Sequence, residues 1–419
     1  MLYSQRYCFQ RIIKGQNIAL ALMLIMLCHF SKAQIIAKSE LTPLASADVK
    51  VGAERFEQYI DLLKGKNVAV VVNQTSLVKN TLLVDTLLSL GIHVTKIFAP
   101  EHGFYGTADA GALIKNGKDK NAGANIIIVS LYGKHNKPTP EDLKNVDVVV
   151  YDLQDVGVRF FTYLSTLHLT MEACAENNKQ FIVLDRPDPN GFFVDGPVLD
   201  TNFRSFVGLD PVPIVYGMTA AEYARMLNGE KWLKNGKQCN LICVPVQGYT
   251  HKSLYELPVK PSPNLPNMAA VYLYPSLALF EGTAISVGRG TDFPFQVIGC
   301  PDLPSNQTFA FSFTPESKPG ATDPMYKGLK CNGCDLREFG QVMMKVYQSM
   351  YFFWLKGTYK DYPDKSKYFN VYFKSLAGTD KLQKQIEQGM TDEDIRKSWE
   401  PQLSNFKVIR KRYLLYTDF

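Results

Sequence analysis

From residue 67 onward, short apolar runs alternate with stretches of helical periodicity. The runs at 68–72, 94–98, 126–131, 146–151 and 181–184 are rich in Val and Ile, with no alternation of polar and apolar positions. Strands covered by helices on both faces read this way, because neither side of the sheet meets water. Between them, residues 81–90 and 162–177 carry apolar side chains at helical spacing. In the second stretch Leu164, Leu167, His168, Met171 and Ala175 form a stripe that predicts packing on the sheet. Thr219 and Glu222 make a capping-box pattern at the head of a helix over 219–227, and 239–246 reads as a further strand. The fold class predicted is α/β, with a Rossmann-like parallel sheet.

The pattern changes at residues 258–266, where Pro258, Pro261, Pro263 and Pro266 fall within nine positions. Such a stretch is neither helix nor central strand, so it predicts a domain boundary or an extended loop at a site. Beyond it come isolated strands at 284–287 and 295–298, then helix-like segments at 336–355 and 381–389. The predicted layout is a Rossmann-like catalytic domain over 51–265 and a smaller α+β domain over 266–419, with a flexible lead at 34–50.

The first 33 residues stand apart from this pattern. They carry Arg6, Arg11, Lys14 and Lys32 without an acid, then an apolar stretch of 13 residues ending at Phe30, then Ser31, Lys32 and Ala33. A basic start, an apolar middle and a small-residue cleavage site predict a signal peptide cut near Ala33, and hence an exported product, periplasmic or secreted. Thirteen apolar residues are too few to span about 30 Å of hydrocarbon, and no later segment predicts a membrane span. The leader also accounts for most of the formal charge of +6. Removing four of the 46 basic side chains leaves 42 against 40 acids in a mature chain of 386 residues, so nothing points to nucleic acid. Six cysteines remain beyond the leader, too sparse for a disulfide scaffold. Cys331 and Cys334 read as a local disulfide or as incidental thiols.

Open parallel sheets bind ligands beyond the carboxyl ends of their strands. The polar residues that follow the predicted strands are Asn73 and Gln74; Glu101 and His102; Tyr132; Asp152, Gln154 and Asp155; and Asp185 and Arg186. Single aspartates there can be helix caps, but capping does not call for Glu, His and Arg as well. Dinucleotide, P-loop, zincin and serine-elbow motifs are all missing. A metal site built from Asp152, Asp155, Asp185 and His102 is a weak alternative, and no metal or cofactor is expected. In the second domain, residues 280–295 combine Gly282, Gly288 and Gly290 with Glu281, Arg289 and Asp292, which predicts a site facing the first domain.

Five strings carry a resemblance. They are APEHGF at 99–104, YDLQDVGVRFFTY at 151–163, LDRP at 184–187, PSPNLP at 261–266, and EGT at 281–283 followed by SVGRGTDFPF at 286–295. In this order they resemble the exo-β-N-acetylmuramidase (NamZ) family, from about residue 55 to the C-terminus. Asp188 and Ala284 depart from the pattern, standing where Asn is expected. The resemblance implies a Rossmann-like catalytic domain with a smaller C-terminal domain, and release of N-acetylmuramic acid from non-reducing ends of peptidoglycan-derived amino-sugar fragments.

Glycoside hydrolysis generally uses two carboxyl groups, one protonated and one ionised. Glu101, beside His102, is the candidate general acid/base, with Asp152 or Asp155 as the second carboxylate. The N-acetyl group of the sugar could instead serve as internal nucleophile, and retaining and inverting outcomes are not separated. A substrate with a lactyl carboxylate calls for a cation, for which Arg159, Arg186 and Arg289 are candidates. Asn73, Tyr132, Gln154, Tyr163, Asp185, Glu281 and Asp292 complete the expected binding set, with Tyr132 and Tyr163 either stacking on the sugar or filling the core. The alternatives are a periplasmic sugar-binding protein without turnover and a metal-dependent phosphohydrolase. Oligomeric state is left open.

Overall fold

The computed structural model describes residues 41–112, 117–119 and 126–419, so the expected leader at 1–33 lies outside the described residues. Seven strands form the main sheet: β1 (Val68–Val72), β2 (Val94–Ala99), β3 (Gly117–Asp119), β4 (Ile126–Ser130), β5 (Val148–Asp152), β6 (Gln180–Leu184) and β7 (Asn240–Val244). Their order is β7-β6-β5-β1-β2-β4-β3, parallel throughout except for β3, which runs antiparallel along the edge of β4. Leaving β3 aside, the chain winds outward from β1 in one direction and then returns to place β5 on its other side. That is the doubly wound order, with its switch point between β1 and β5.

The lack of polar alternation in these strands has a direct cause. Val68, Val70, Val72, Val148 and Val150 face one layer, which includes Val84 and Leu87 of α1 (Leu83–Ser89). Ala69, Val71, Val149 and Tyr151 face the other, against α2 (Tyr163–Glu176) and α3 (Ala220–Gly229). Each residue of β1 and β5 is therefore buried, so a polar side chain there needs a partner, as Asp152 at the end of β5 has in Arg186. The capping box at Thr219 forms as expected, its hydroxyl accepting from the Glu222 N–H while the Glu222 carboxylate accepts from the Thr219 N–H.

The C-terminal part is smaller and mixed. An antiparallel sheet of β8 (Val297–Cys300), β9 (Phe311–Phe313) and β10 (Cys331–Asp335) has β10 in the centre. Around it lie α4 (Met268–Leu277), α5 (Arg337–Tyr347), α6 (Phe353–Asp361), α7 (Tyr372–Ala377), α8 (Lys381–Glu387) and α9 (Asp392–Lys411). Its apolar side chains join the α2 and α3 layer in one continuous core. The segment expected at 336–355 is thus two helices, and 284–287 makes a single isolated bridge, Ser286 to Gly299, rather than a strand. Cys331 and Cys334 both lie in β10, three residues apart. An extended strand separates them by about 10 Å, beyond disulfide reach, and both are free thiols.

Two stretches read as loops have defined places. Of the lead at 34–50, Thr42–Leu44 pairs in parallel with Ser253–Tyr255. The segment is short and largely exposed, so no apolar pattern marked it. The proline run at 258–266 is a loop of bends with a turn closed by Leu265 N–H on Ser262 O, and Pro261 O accepts from Tyr163 and from Gln74.

Candidate active site

A cavity of about 290 Å³ opens beyond the carboxyl ends of β2 and β4. Glu101, His102 and Tyr132 reach it from the turns after those two strands. Phe160, Phe161, Thr162 and Tyr163 come from the loop before α2, and Glu281, Arg289 and Phe295 from the glycine-rich C-terminal loop. Tyr274 of α4 and Tyr372 of α7 close it. The volume is at the lower end of the range for ligand pockets, about 300–1,000 Å³, which suits one ring-sized ligand.

Glu101 is held at both oxygens. Its Oε1 accepts from the Gly111 N–H at 3.0 Å and its Oε2 from the Thr162 hydroxyl at 2.6 Å. The turn that carries it is tight, with His102 at φ 68° and Gly103 at φ 78°. A histidine in the left-handed region is strained, and such strain concentrates at functional sites. The His102 ring is buried and its Nδ1 donates to Ala108 O at 2.7 Å, which leaves Nε2 as the unprotonated nitrogen. Burial lowers the His102 pKa despite the adjacent Glu101 carboxylate, so the ring is neutral. Burial, and after it the Glu101 charge, raises the Tyr132 hydroxyl pKa.

The second carboxyl group in the cavity is Glu281. Arg289 directs Nε and Nη2 to a single oxygen of it, at 3.0 and 2.7 Å, and stacks over Phe295 at 5.0 Å. Burial disfavours the guanidinium cation, but the facing carboxylate more than offsets this and raises its pKa. Arg289 Nη1 is buried with no partner among the described residues.

The other strand-end residues are placed elsewhere. Asp152 is fully buried in a bidentate pair with Arg186 (Nε at 2.6 Å, Nη2 at 2.9 Å), so neither reaches this cavity. Asp185 caps α3, accepting from Thr219 Oγ1 and the Ala221 N–H, and burial pushes it up to about 7. Gln154 donates to the carbonyls of Asp155 and Pro187. Asn73 lies under the cavity floor, donating to the Tyr163 hydroxyl at 2.8 Å, and so acts on the site only through that ring. Arg159 is tied to four backbone carbonyls, and Asp292 is exposed and paired with Lys318. The structure thus gathers Glu101, His102, Tyr132, Tyr163, Glu281 and Arg289. It does not bring in Asp152, Asp155, Gln154, Arg159, Asp185, Arg186 or Asp292. Among the described residues no group of three or more His, Cys, Asp or Glu could hold a metal ion, and no helix is long and apolar enough to cross a membrane.

Residues 68–269 match the family model described as exo-beta-N-acetylmuramidase NamZ, N-terminal, and residues 272–416 match its C-terminal counterpart. The chain belongs to the NamZ family. A NamZ relative from Bacillus subtilis (strain 168), the peptidoglycan beta-N-acetylmuramidase NamZ, is 37% identical over 382 residues, covering 85% of this chain and 89% of its own. Two crystal structures of DUF1343 family proteins from Bacteroides fragilis NCTC 9343 share the NamZ-type fold seen here. They superpose with TM-scores of 0.81 and 0.73 at 40% and 29% identity, each over 88% of this chain and 99% of the other. As a NamZ member the chain is a glycoside hydrolase, and Glu101 and Glu281 bring two carboxyl groups to the wall of one cavity. Thr162, Tyr274 and Tyr372 were not anticipated from sequence. Thr162 lies inside the string at 151–163, but its bond to Glu101 spans 61 positions and has no local signature.

One departure from the NamZ pattern has a measurable consequence. Asp188 and Asp155 are buried, and Asp188 Oδ2 and Asp155 Oδ1 each lack a partner among the described residues. Burial pushes Asp155 up to about 7, against hydrogen bonds from Tyr216 and the Gly157 N–H; burial, and after it the Asp155 charge, raises Asp188 well above the usual carboxylate range. A proton on this pair turns one orphaned acceptor into a donor. Both folded-state values exceed the ordinary carboxylate value near 4, so the stability they contribute is complete below about pH 4 and is lost as pH rises through 7. Asp188→Asn supplies a permanent donor. It is expected to flatten the decline between pH 5 and pH 8, measured by urea unfolding at both pH values. Parallel curves for the two proteins would refute the shared-proton account.

Proposed function

We propose that this protein is an exported exo-acting glycosidase that removes N-acetylmuramic acid from the non-reducing ends of peptidoglycan fragments. Glu101 is its general acid/base and Glu281 the second carboxyl group. The observation that carries this reading is the Glu101 carboxylate, fixed by Gly111 and Thr162 at the wall of a cavity sized for one sugar ring. A single-ring cavity supports exo action, since an internal sugar needs room on both sides.

The glycosidic oxygen takes a proton from Glu101 as the bond breaks, and positive charge grows at the anomeric carbon. Glu281, paired with Arg289, offers the negative charge that stabilises that centre. Arg289 Nη1 is the donor left for the lactyl carboxylate. The B. subtilis relative's name specifies the same substrate. Export rests on the leader read at 1–33.

The test is turnover of an aryl β-N-acetylmuraminide and of a purified glycan chain. Released phenol, with free muramic sugar as the only early product from the chain, is the expected result. Internal cleavage products appearing first would overturn the exo assignment, and ligand binding without released phenol would overturn the enzymatic one.

A further inference from the structure

A second groove, of about 890 Å³, runs along the carboxyl edge of the sheet beside the residues that follow β1, β6 and β7. None of its lining residues belongs to the Glu101 cavity. Arg186 lies at its base with its side chain 4% exposed. Nε and Nη2 are engaged, by Asp152 at 2.6 and 2.9 Å and by Leu77 O at 2.9 Å. The third nitrogen, Nη1, has no hydrogen-bond partner among the described residues. Arg186, Tyr255 and Glu54 line the groove together. Burial disfavours the cation, but the Asp152 carboxylate more than offsets this. The Glu54 carboxylate is already occupied, accepting from the backbone N–H groups of Val51 and Lys79. The Lys79 ammonium is exposed and has no partner among the described residues.

We propose that this groove binds a carboxylate carried on a polar ligand of sugar or short-peptide size, with Arg186 Nη1 and Lys79 Nζ as its donors. A buried guanidinium with one corner open is a fixed donor that loses little entropy on binding, which distinguishes it from a surface lysine. Charge selects the anion. Lys50, Lys79 and Arg186 face Asp48 and Glu54 in the groove, and Asp152 offsets Arg186 from behind. Lys50 is paired with Glu57 and Arg186 with Asp152, so among the described groove residues Lys79 is the cation without a carboxylate partner, which suits one negative charge better than the two of phosphate. The volume leaves room for the rest of such a ligand against Phe56 and Val78.

Calorimetric titration of the full chain with N-acetyl-alanyl-alanine, glucuronate and inorganic phosphate tests this. One or both carboxylates are expected to bind at one site, the peptide arm alone pointing to peptide ligands and the glucuronate arm alone to sugar acids. The methyl ester of the bound probe is expected not to bind. Lys79→Glu is exposed and keeps the Arg186–Asp152 pair intact; it is expected to weaken binding at least about tenfold, while Arg289→Gln in the other cavity leaves it unchanged. No binding by either carboxylate, tighter binding of phosphate, affinity that survives Lys79→Glu, or loss in Arg289→Gln would each overturn the proposal.

Discussion

Glu101→Gln is expected to lower kcat by about 10³-fold or more on a glycan substrate, while the unfolding midpoint stays within a degree or two. General acid/base groups contribute about 10²- to 10⁴-fold, and a sugar leaving group needs its proton most. The amide keeps the shape of the carboxylate but can neither give nor take that proton. It also places an NH₂ against Gly111 N–H or Thr162 Oγ–H, where the carboxylate accepts from both. Losing one such bond costs about 1 kcal/mol, a local effect too small to account for the rate. The leaving group separates a proton donor from a structural residue. With a nitrophenyl glycoside, whose leaving group departs without protonation, the rate loss in bond cleavage is expected to shrink strongly. Glu281→Gln, which removes a charge rather than a proton donor, is expected to slow both substrates alike. A Glu101→Gln enzyme that keeps a tenth of wild-type activity on glycan would remove Glu101 from the acid/base role.

The central strands of the main sheet were legible because they lie under helices on two faces, so their apolar runs are continuous; the edge strand β3, Gly117–Asp119, has no apolar run and was not. Helix α9 was not, although it is 20 residues long: only Ile395, Trp399, Leu403, Phe406 and Arg410 are buried along it, and Pro401 interrupts the pattern. The strand-end rule located Glu101, His102 and Tyr132, because the edge beyond β2 and β4 stays open. It misplaced Asp152, Asp155 and Asp185, because the same edge of the central strands is covered by chain distant in sequence. Arg186 closes on Asp152 across 34 positions, Tyr216 on Asp155 across 61 and Tyr416 on Asp185 across 231. Glu281 was read as a binding residue. Its standing as the second carboxyl group depends on the C-terminal loop meeting the β2 turn, which no local pattern states.

Arg159→Met is expected to destabilise the protein by about 4 kcal/mol or more, enough to abolish soluble expression at 37 °C. Read from sequence as a reader of substrate carboxylate, Arg159 is 2% exposed and has no acidic partner. Nη1 donates to Pro197 O at 2.9 Å and Val212 O at 2.7 Å; Nη2 donates to Leu376 O at 3.0 Å and Ala377 O at 2.8 Å. The last two carbonyls end α7, so the cation sits at the negative pole of that helix and ties it to the loop before α2. Gly378 follows at φ 70°, and a Cβ there would stand 2.5 Å from Arg159 Nη2, so the turn is shaped around the guanidinium. Burial pulls the Arg159 pKa down to about 9, a measure of how much solvation the carbonyls must replace. Methionine fills the volume but strands three buried acceptors at about 1–3 kcal/mol each, since Val212 O keeps its bond from the Leu199 N–H; the relief of no longer burying a charge recovers part of that. The remainder is a large share of a typical stability of about 5–15 kcal/mol. Arg159→Lys, reaching two of the carbonyls at most, is expected to fall between. The contrast with Arg289→Met is decisive: there KM is expected to rise with the unfolding midpoint little changed. An Arg159→Met protein that unfolds like wild type but shows a raised KM would return Arg159 to the binding site.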